Sequence, residues 1–177
     1  MDGEYWCIDA WGKHGTMANE TGRYTTGKHE MDSAQWRLAP FGKRVHIVRE
    51  LSLTAARMHA DATFDWIYVD AVHTYEGSLS DMRAWWPKLR PGGLFSGDDY
   101  ADAGAAGLMT PARWKRAYPV RFGGFVMSRW GVARAAEHFA AEVGRQLMIT
   151  WLKGDTGTTP AEGNLSCYAY PAWYMIK

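Results

Sequence analysis

Charge of one sign, long apolar runs and cysteine are all scarce in this chain of 177 residues, and each scarcity removes a class of function. Twenty Lys and Arg stand against nineteen Asp and Glu, a formal net charge of +1. A nucleic-acid groove needs a basic stripe to neutralise phosphates, so no nucleic-acid partner is expected. No stretch approaches the roughly eighteen apolar residues of a membrane span. The opening, MDGEYWCIDAW, has neither the basic nor the apolar region of a signal peptide. The expectation is a cytoplasmic protein with no membrane partner, an organelle being left open. The two cysteines, Cys7 and Cys167, lie far apart in apolar, strand-like runs. They read as small core residues of a reducing compartment rather than as metal ligands or a disulfide.

Aromatic residues, by contrast, are plentiful: ten Trp, nine Tyr and six Phe in a chain that is 47% apolar. That is ample surface to bury, and the length suits one domain spanning 1–177. Short runs rich in β-branched and aromatic residues alternate with helical patterns, which points to the α/β class with a mostly parallel sheet. The expected strands are Tyr5 to Asp9, Val45 to Arg49, Trp66 to Asp70, Leu94 to Ser96, Leu147 to Leu152 and Ser166 to Ile176, the last two forming a C-terminal antiparallel pair. Leu79, Met82, Trp85, Trp86 and Leu89 recur at helical spacing up to Pro91-Gly92-Gly93, read as a helix stop and turn. A second helix is expected over Val132 to Val143, with Gly144 as its stop. The segment from Gly12 to Gly42 has weak periodicity and reads as a long loop, helical at most over Met31 to Leu38.

Ligands of open parallel sheets bind beyond the carboxyl ends of the strands, so polar residues there are candidates for chemistry. Three strands end in acid: Asp9 closes WCID, Asp70 closes WIYVD, and Asp98 with Asp99 follows LFSG. Most strand-terminal Asp residues simply start turns or cap helices, and for Asp9 that reading stands level with a functional one. Asp70 and the Asp98-Asp99 pair would meet at one sheet edge, where clustered carboxylates repel one another unless a cation sits among them. Oxygen donors of this kind suit Mg²⁺ or a similar divalent cation. His73, three residues past Asp70, stands where a base could take a hydroxyl proton. His14, His29, His46, His59 and His138 have no such company and are given no role. Trp11, Tyr75 and Tyr100 are aromatic loop residues available to pack on an acceptor.

These residues carry a family likeness. FDWIYVDAVHTYEGSLSDMRAWWPKLRPGGLFSGDDY, residues 64–100, resembles the strand-helix-strand core of class I S-adenosylmethionine-dependent methyltransferases. The metal-dependent branch of sugar and macrolide O-methyltransferases is the most similar, and the layout is also that of catechol O-methyltransferase. The resemblance continues into WGVARAAEHFAAEVG and PAWYMIK. It implies a Rossmann-like methyltransferase sheet, S-adenosylmethionine and a divalent metal as cofactors, and a small-molecule hydroxyl acceptor. By position it implies Asp70, Asp98 and Asp99 as metal ligands and His73 as catalytic base. Asp9 would accept hydrogen bonds from the cofactor's ribose, and Ser52 would line the adenine pocket.

The family's first strand, with the Gly-rich turn that wraps the cofactor's methionine part, has no counterpart here. Only four residues precede the strand that matches the family's second, whereas a strand and its crossover helix need roughly thirty. In the family's strand order the first strand lies in the middle of the sheet, so a gap is expected there. Three outcomes follow from it: altered pairing, a strand supplied by another segment, whether of this chain, a second copy or a partner chain, or a sequence that is N-terminally incomplete. The leading reading is a metal-dependent O-methyltransferase. The runner-up is a catalytically inactive methyltransferase-like subunit with a structural or assembly role. A dinucleotide enzyme ranks last, since it too lacks its phosphate-binding Gly motif.

Overall fold

The computed structural model describes residues 3–12, 17–18, 24–25, 27–100, 131–150 and 171–177. Two compact units emerge, Met1–Met58 and His59–Lys177, and each is taken by itself.

In the first unit β1 (Tyr5–Asp9) pairs in parallel with β4 (Val45–Arg49), Tyr5 opposite Val45 and Asp9 opposite Arg49. Both strands fall where their runs of β-forming residues place them. A two-residue antiparallel pair, β2 (Met17–Ala18) and β3 (Tyr24–Thr25), lies between them in sequence. The segment read as one long loop is not one: α1 runs over Lys28–Leu38 and a 3₁₀ segment over Ala39–Arg44. The helix begins three residues before Met31 because Gly27, at φ 64°, turns the chain in the left-handed region and packs directly on the backbone of Trp11. Lys28 then pairs with Asp32 one turn on, at 2.6 Å. A short helix, α2 (Ser52–Arg57), buries Ala55 and Ala56.

The second unit holds a four-stranded sheet in the order β5-β6-β8-β7. β5 (Phe64–Val69) and β6 (Leu89–Gly97) are parallel, while β8 (Trp173–Ile176) runs antiparallel to both β6 and β7 (Met148–Ile149). The sheet is therefore mixed, with the antiparallel pair at the C-terminal end as expected; residues 151–152 and 166–170 of the two long runs expected there lie outside the described residues. Among the described residues the β1-β4 pair and the four-stranded sheet share no strand.

One expectation needs correcting. Pro91-Gly92-Gly93 is not a helix stop: α3 (Tyr75–Trp85) ends earlier, a 3₁₀ turn follows at Trp86–Lys88, and the PGG segment lies inside β6. Pro87 lacks an amide hydrogen, so the α-helical hydrogen-bond ladder breaks there and the chain continues only through the one 3₁₀ turn. The extra residues form an irregularity, Phe64 facing Leu89 but Trp66 facing Leu94. Their backbone groups pair with the last residue instead, Gly92 N donating to Lys177 O and Lys177 N to Gly93 O.

The core forms where α3 and α4 (Val132–Val143) pack together with the sheet. Phe139 of α4 lies against Phe95 of β6 and Trp86, with ring centroids 6.0 and 5.5 Å away, and Phe95 meets Trp173 of β8 at 5.7 Å. On the apolar side of α4 Val132, Ala135, Ala136 and Phe139 are buried and Val143 is half-buried, and Gly144 ends the helix at φ 64°. No helix among the described residues is long and apolar enough to cross a membrane. Truncating Phe139 to Ala should cost about 3–5 kcal/mol in urea unfolding, while truncating the 77% exposed Trp36 should change stability by less than about 0.5 kcal/mol. Equal effects would contradict this placement of the core.

Candidate functional site

Two parallel strands that end level with each other build the site. Val69 sits opposite Gly97, and the pairing extends one step as Asp98 N donates to Val69 O at 3.2 Å. Asp70 therefore leaves β5 beside the point where Asp98 and Asp99 leave β6. A side chain at Gly97 would overlap the Trp173 ring, which keeps this end of β6 tightly packed. Asp99 turns the chain at φ 54°, a left-handed conformation that Asp tolerates better than most residues.

The path from Asp70 into α3 is fixed by three local contacts. Thr74 caps the helix, its hydroxyl accepting from Gly77 N at 3.1 Å. Ser78 donates to the Val72 carbonyl at 2.8 Å. Gly77 has no room for a side chain, since a Cβ would come 2.8 Å from Val72 Cγ1. His73 is held between these anchors and largely buried, while Asp70 is open to solvent.

The His73 ring meets both strand ends. Its Nε2 lies 3.3 Å from Asp70 Oδ1 and 3.3 Å from Asp99 Oδ2. One donor atom from each of Asp70, His73 and Asp99 lies within 4.8 Å of the other two. Asp98 is not in that group. Its carboxylate accepts a hydrogen bond from Tyr68, whose phenol is pushed up to about 12, first by burial and then by the charges of Asp98 and Asp70, the Asp98 hydrogen bond and Asp99. The sequence reading passed over Tyr68. Its only signal was that it lies two residues before Asp70 on an alternating strand, and hence on the same face.

The other candidates divide between places. Asp9, at the end of β1, accepts from Trp11 N at 2.7 Å through Oδ1, and Arg49 donates twice to the Trp11 carbonyl, at 2.7 and 3.2 Å. Ser52 is the first residue of α2, with Leu51 at the cap position ahead of it. Both belong to the first unit, and Asp70, His73, Asp98 and Asp99 to the second. Among the aromatic residues available for an acceptor, Trp11 is buried. Tyr75 and Tyr100 direct their hydroxyls to His138 and Glu137. His138 thus does have company, contrary to the sequence reading. Its partner lies 63 positions away in the chain, beyond the reach of local patterns. His46 stacks on Trp6 at 4.4 Å, and burial with nearby Lys88 holds His59 below its usual range.

Comparison with known proteins follows the same outline. A family model described as a methyltransferase domain matches residues 2–100, more than half of the 177-residue chain. The fold is similar to that of a Corynebacterium glutamicum protein, at TM-score 0.54 and 16% identity over 98% of this chain. It is also similar to a candidate caffeoyl-CoA O-methyltransferase from Staphylococcus aureus, at 0.55 and 13% over 99% of this chain and 76% of the other. A third is an O-methyltransferase from Bacillus cereus in complex with S-adenosylhomocysteine, at 0.52 and 17% over 98% and 72%. The chain spans 60% of the length of the Corynebacterium protein. No curated protein sequence matches it.

The raised Tyr68 phenol gives a direct check on this geometry. A phenol whose folded value lies above the ordinary 10 favours the fold fully below pH 10, and that contribution is lost as pH rises toward 12. Absorbance at about 295 nm should record a tyrosinate step near pH 12 that disappears in Tyr68→Phe. A variant with the same titration curve as the parent would show that Tyr68 does not face Asp98.

Proposed function

The chain belongs to the methyltransferase-domain family, and on that footing we propose that it transfers a methyl group from S-adenosylmethionine to a hydroxyl oxygen of a small molecule or sugar, with a divalent cation assisting. The observation that carries this reading is the meeting of Asp70, His73 and Asp99 where two parallel strands end. Asp70 and Asp99 bring carboxylate oxygens within 4.8 Å of each other, a donor set that suits Mg²⁺ or Mn²⁺, and His73 Nε2 stands 3.3 Å from each of them.

Asp70 and Asp99 would hold the cation, with Asp98 adding a third negative charge from the same loop. A bound cation would supply the positive charge that draws the acceptor hydroxyl into place and makes it more acidic. His73, kept in orientation by its two carboxylate neighbours, would take the hydroxyl proton, and S-adenosylmethionine, when bound, would supply the methyl group. Asp9, at the end of β1, would accept hydrogen bonds from the cofactor's ribose, and Ser52 would border the adenine. Asp9 Oδ1 already accepts from the Trp11 amide, so the ribose contact falls to its second oxygen.

A second reading, a catalytically inactive methyltransferase-like subunit with a structural or assembly role, is favoured by one feature of the sequence: no Gly-rich turn follows a first strand. Calorimetric titration with S-adenosylmethionine, with and without Mg²⁺, separates the two. Binding by the full-length protein supports the enzyme, and no binding in either condition would leave only the subunit reading. Asp98→Ala should then abolish turnover while sparing most cofactor affinity. His73→Ala should lower the rate most at low pH, the deficit shrinking as hydroxide takes over the base's work. An unchanged pH-rate profile would remove His73 as the base.

A further inference from the structure

Two neighbouring residues of α4 reach two different loops of the site. Glu137 Oε1 accepts a hydrogen bond of 2.7 Å from the hydroxyl of Tyr100, the residue after Asp99. His138 Nδ1 is hydrogen-bonded to the hydroxyl of Tyr75, two residues past His73, and the two rings lie 15° from parallel. The Arg134 guanidinium stands 5.9 Å from the centre of the Tyr75 ring. Where the helix begins, Gly131 N donates to the His73 carbonyl at 2.9 Å. A Cβ on Gly131 would come 2.7 Å from that of Tyr75, so a side chain there would push the helix off the loop. Positions 131, 134 and 138 recur at helical spacing, so one side of α4 meets the loop after β5 while the adjacent Glu137 meets the loop after β6.

We propose that α4 is a splint for the site, with Glu137 and His138 as positioning residues that set the separation of the Asp70–His73 loop from the Asp98–Asp99 loop. The inference rests on the reading of that site as the acceptor and cation centre. The need for a splint is electrostatic. Three carboxylates at one sheet edge repel one another; Thr74 and Ser78 anchor the first loop to the start of α3, and the second loop leans on α4 through Tyr100. α4 can resist because its opposite side is fixed in the core through Ala135, Ala136 and Phe139. Besides the His73–Asp99 contact, the loop after β6 is thereby tied to α4 through the Tyr100 hydroxyl, and the start of α3, which follows the other loop, through that of Tyr75.

The same two helices supply an internal control. Arg83 of α3 and Glu142 of α4 form a two-pronged ion pair, with contacts of 2.7 to 3.1 Å, that touches neither loop. The full-length protein and its Glu137→Ala, Glu137→Gln, His138→Ala and Arg83→Ala variants would be compared by amide hydrogen exchange, Mn²⁺ binding read from the free-ion paramagnetic resonance signal, and thermal unfolding. Glu137→Ala should speed exchange at residues 98–100 and weaken Mn²⁺ binding, each about tenfold, the worth of one charge-assisted hydrogen bond. Glu137→Gln, whose amide oxygen still accepts from Tyr100, should restore both. His138→Ala should loosen residues 73–75 in the same way. Arg83→Ala should lower the unfolding temperature while leaving both loops and Mn²⁺ affinity as in the parent. Unchanged exchange at 98–100 in Glu137→Ala, or equal loosening in Arg83→Ala, would overturn the splint. A parent protein that binds no Mn²⁺ would count against the cation site alone, because loop exchange still judges the splint.

Discussion

The parallel pairing of β5 with β6, in which Val69 faces Gly97, is the constraint on which the rest of the site depends. Parallel strands that end level send their next residues out of the same sheet edge, and here those residues are Asp70 on one strand and Asp98 with Asp99 on the other. Negative charge is concentrated by topology, at a cost that something nearby must offset. The fold answers locally in three ways. His73 Nε2 comes within 3.3 Å of Asp70 and Asp99, the Tyr68 hydroxyl serves Asp98, and Tyr100 fastens the outgoing loop to Glu137 of α4. The packing behind the edge serves the same end, since Gly97 admits the Trp173 ring and leaves β6 little freedom to slide.

Much of this was legible in the residues. Strands β1 and β4 and helix α4 carry their signals within themselves: β-forming runs bounded by polar residues, an apolar stripe, and a glycine stop at Gly144. The gathering of Asp70 and Asp99 followed from the rule that parallel strands present their carboxyl ends together. The misjudged segments share a cause. Pro91-Gly92-Gly93 has the composition of a turn, yet it lies in a strand because the backbone of Lys177, 84 positions after Gly93, supplies the partners that local composition cannot reveal. Likewise α1 reaches back to Lys28 because Gly27 nestles on Trp11, a contact between segments that only folding brings together. The division of labour among the acids was hidden for the same reason. Nothing in DDY states that Asp99 will turn toward His73 while Asp98 goes to Tyr68.

Within each unit the local order is already present. Asp9 fixes the turn at Trp11, which Arg49 also grips, and His73 is anchored by Thr74, Gly77 and Ser78. Contacts of this kind hold these side chains in one arrangement before any ligand arrives.

Diffraction from crystals soaked in Mn²⁺, recorded at the manganese absorption edge, tests the central claim most directly. The account predicts an anomalous peak bonded to carboxylate oxygens of Asp70 and Asp99 at about 2.2 Å. It also predicts that this peak is lost in Asp99→Asn crystals whose fold is unchanged. An ordered structure with no peak between those two residues, or a peak that persists without the Asp99 carboxylate, would contradict it.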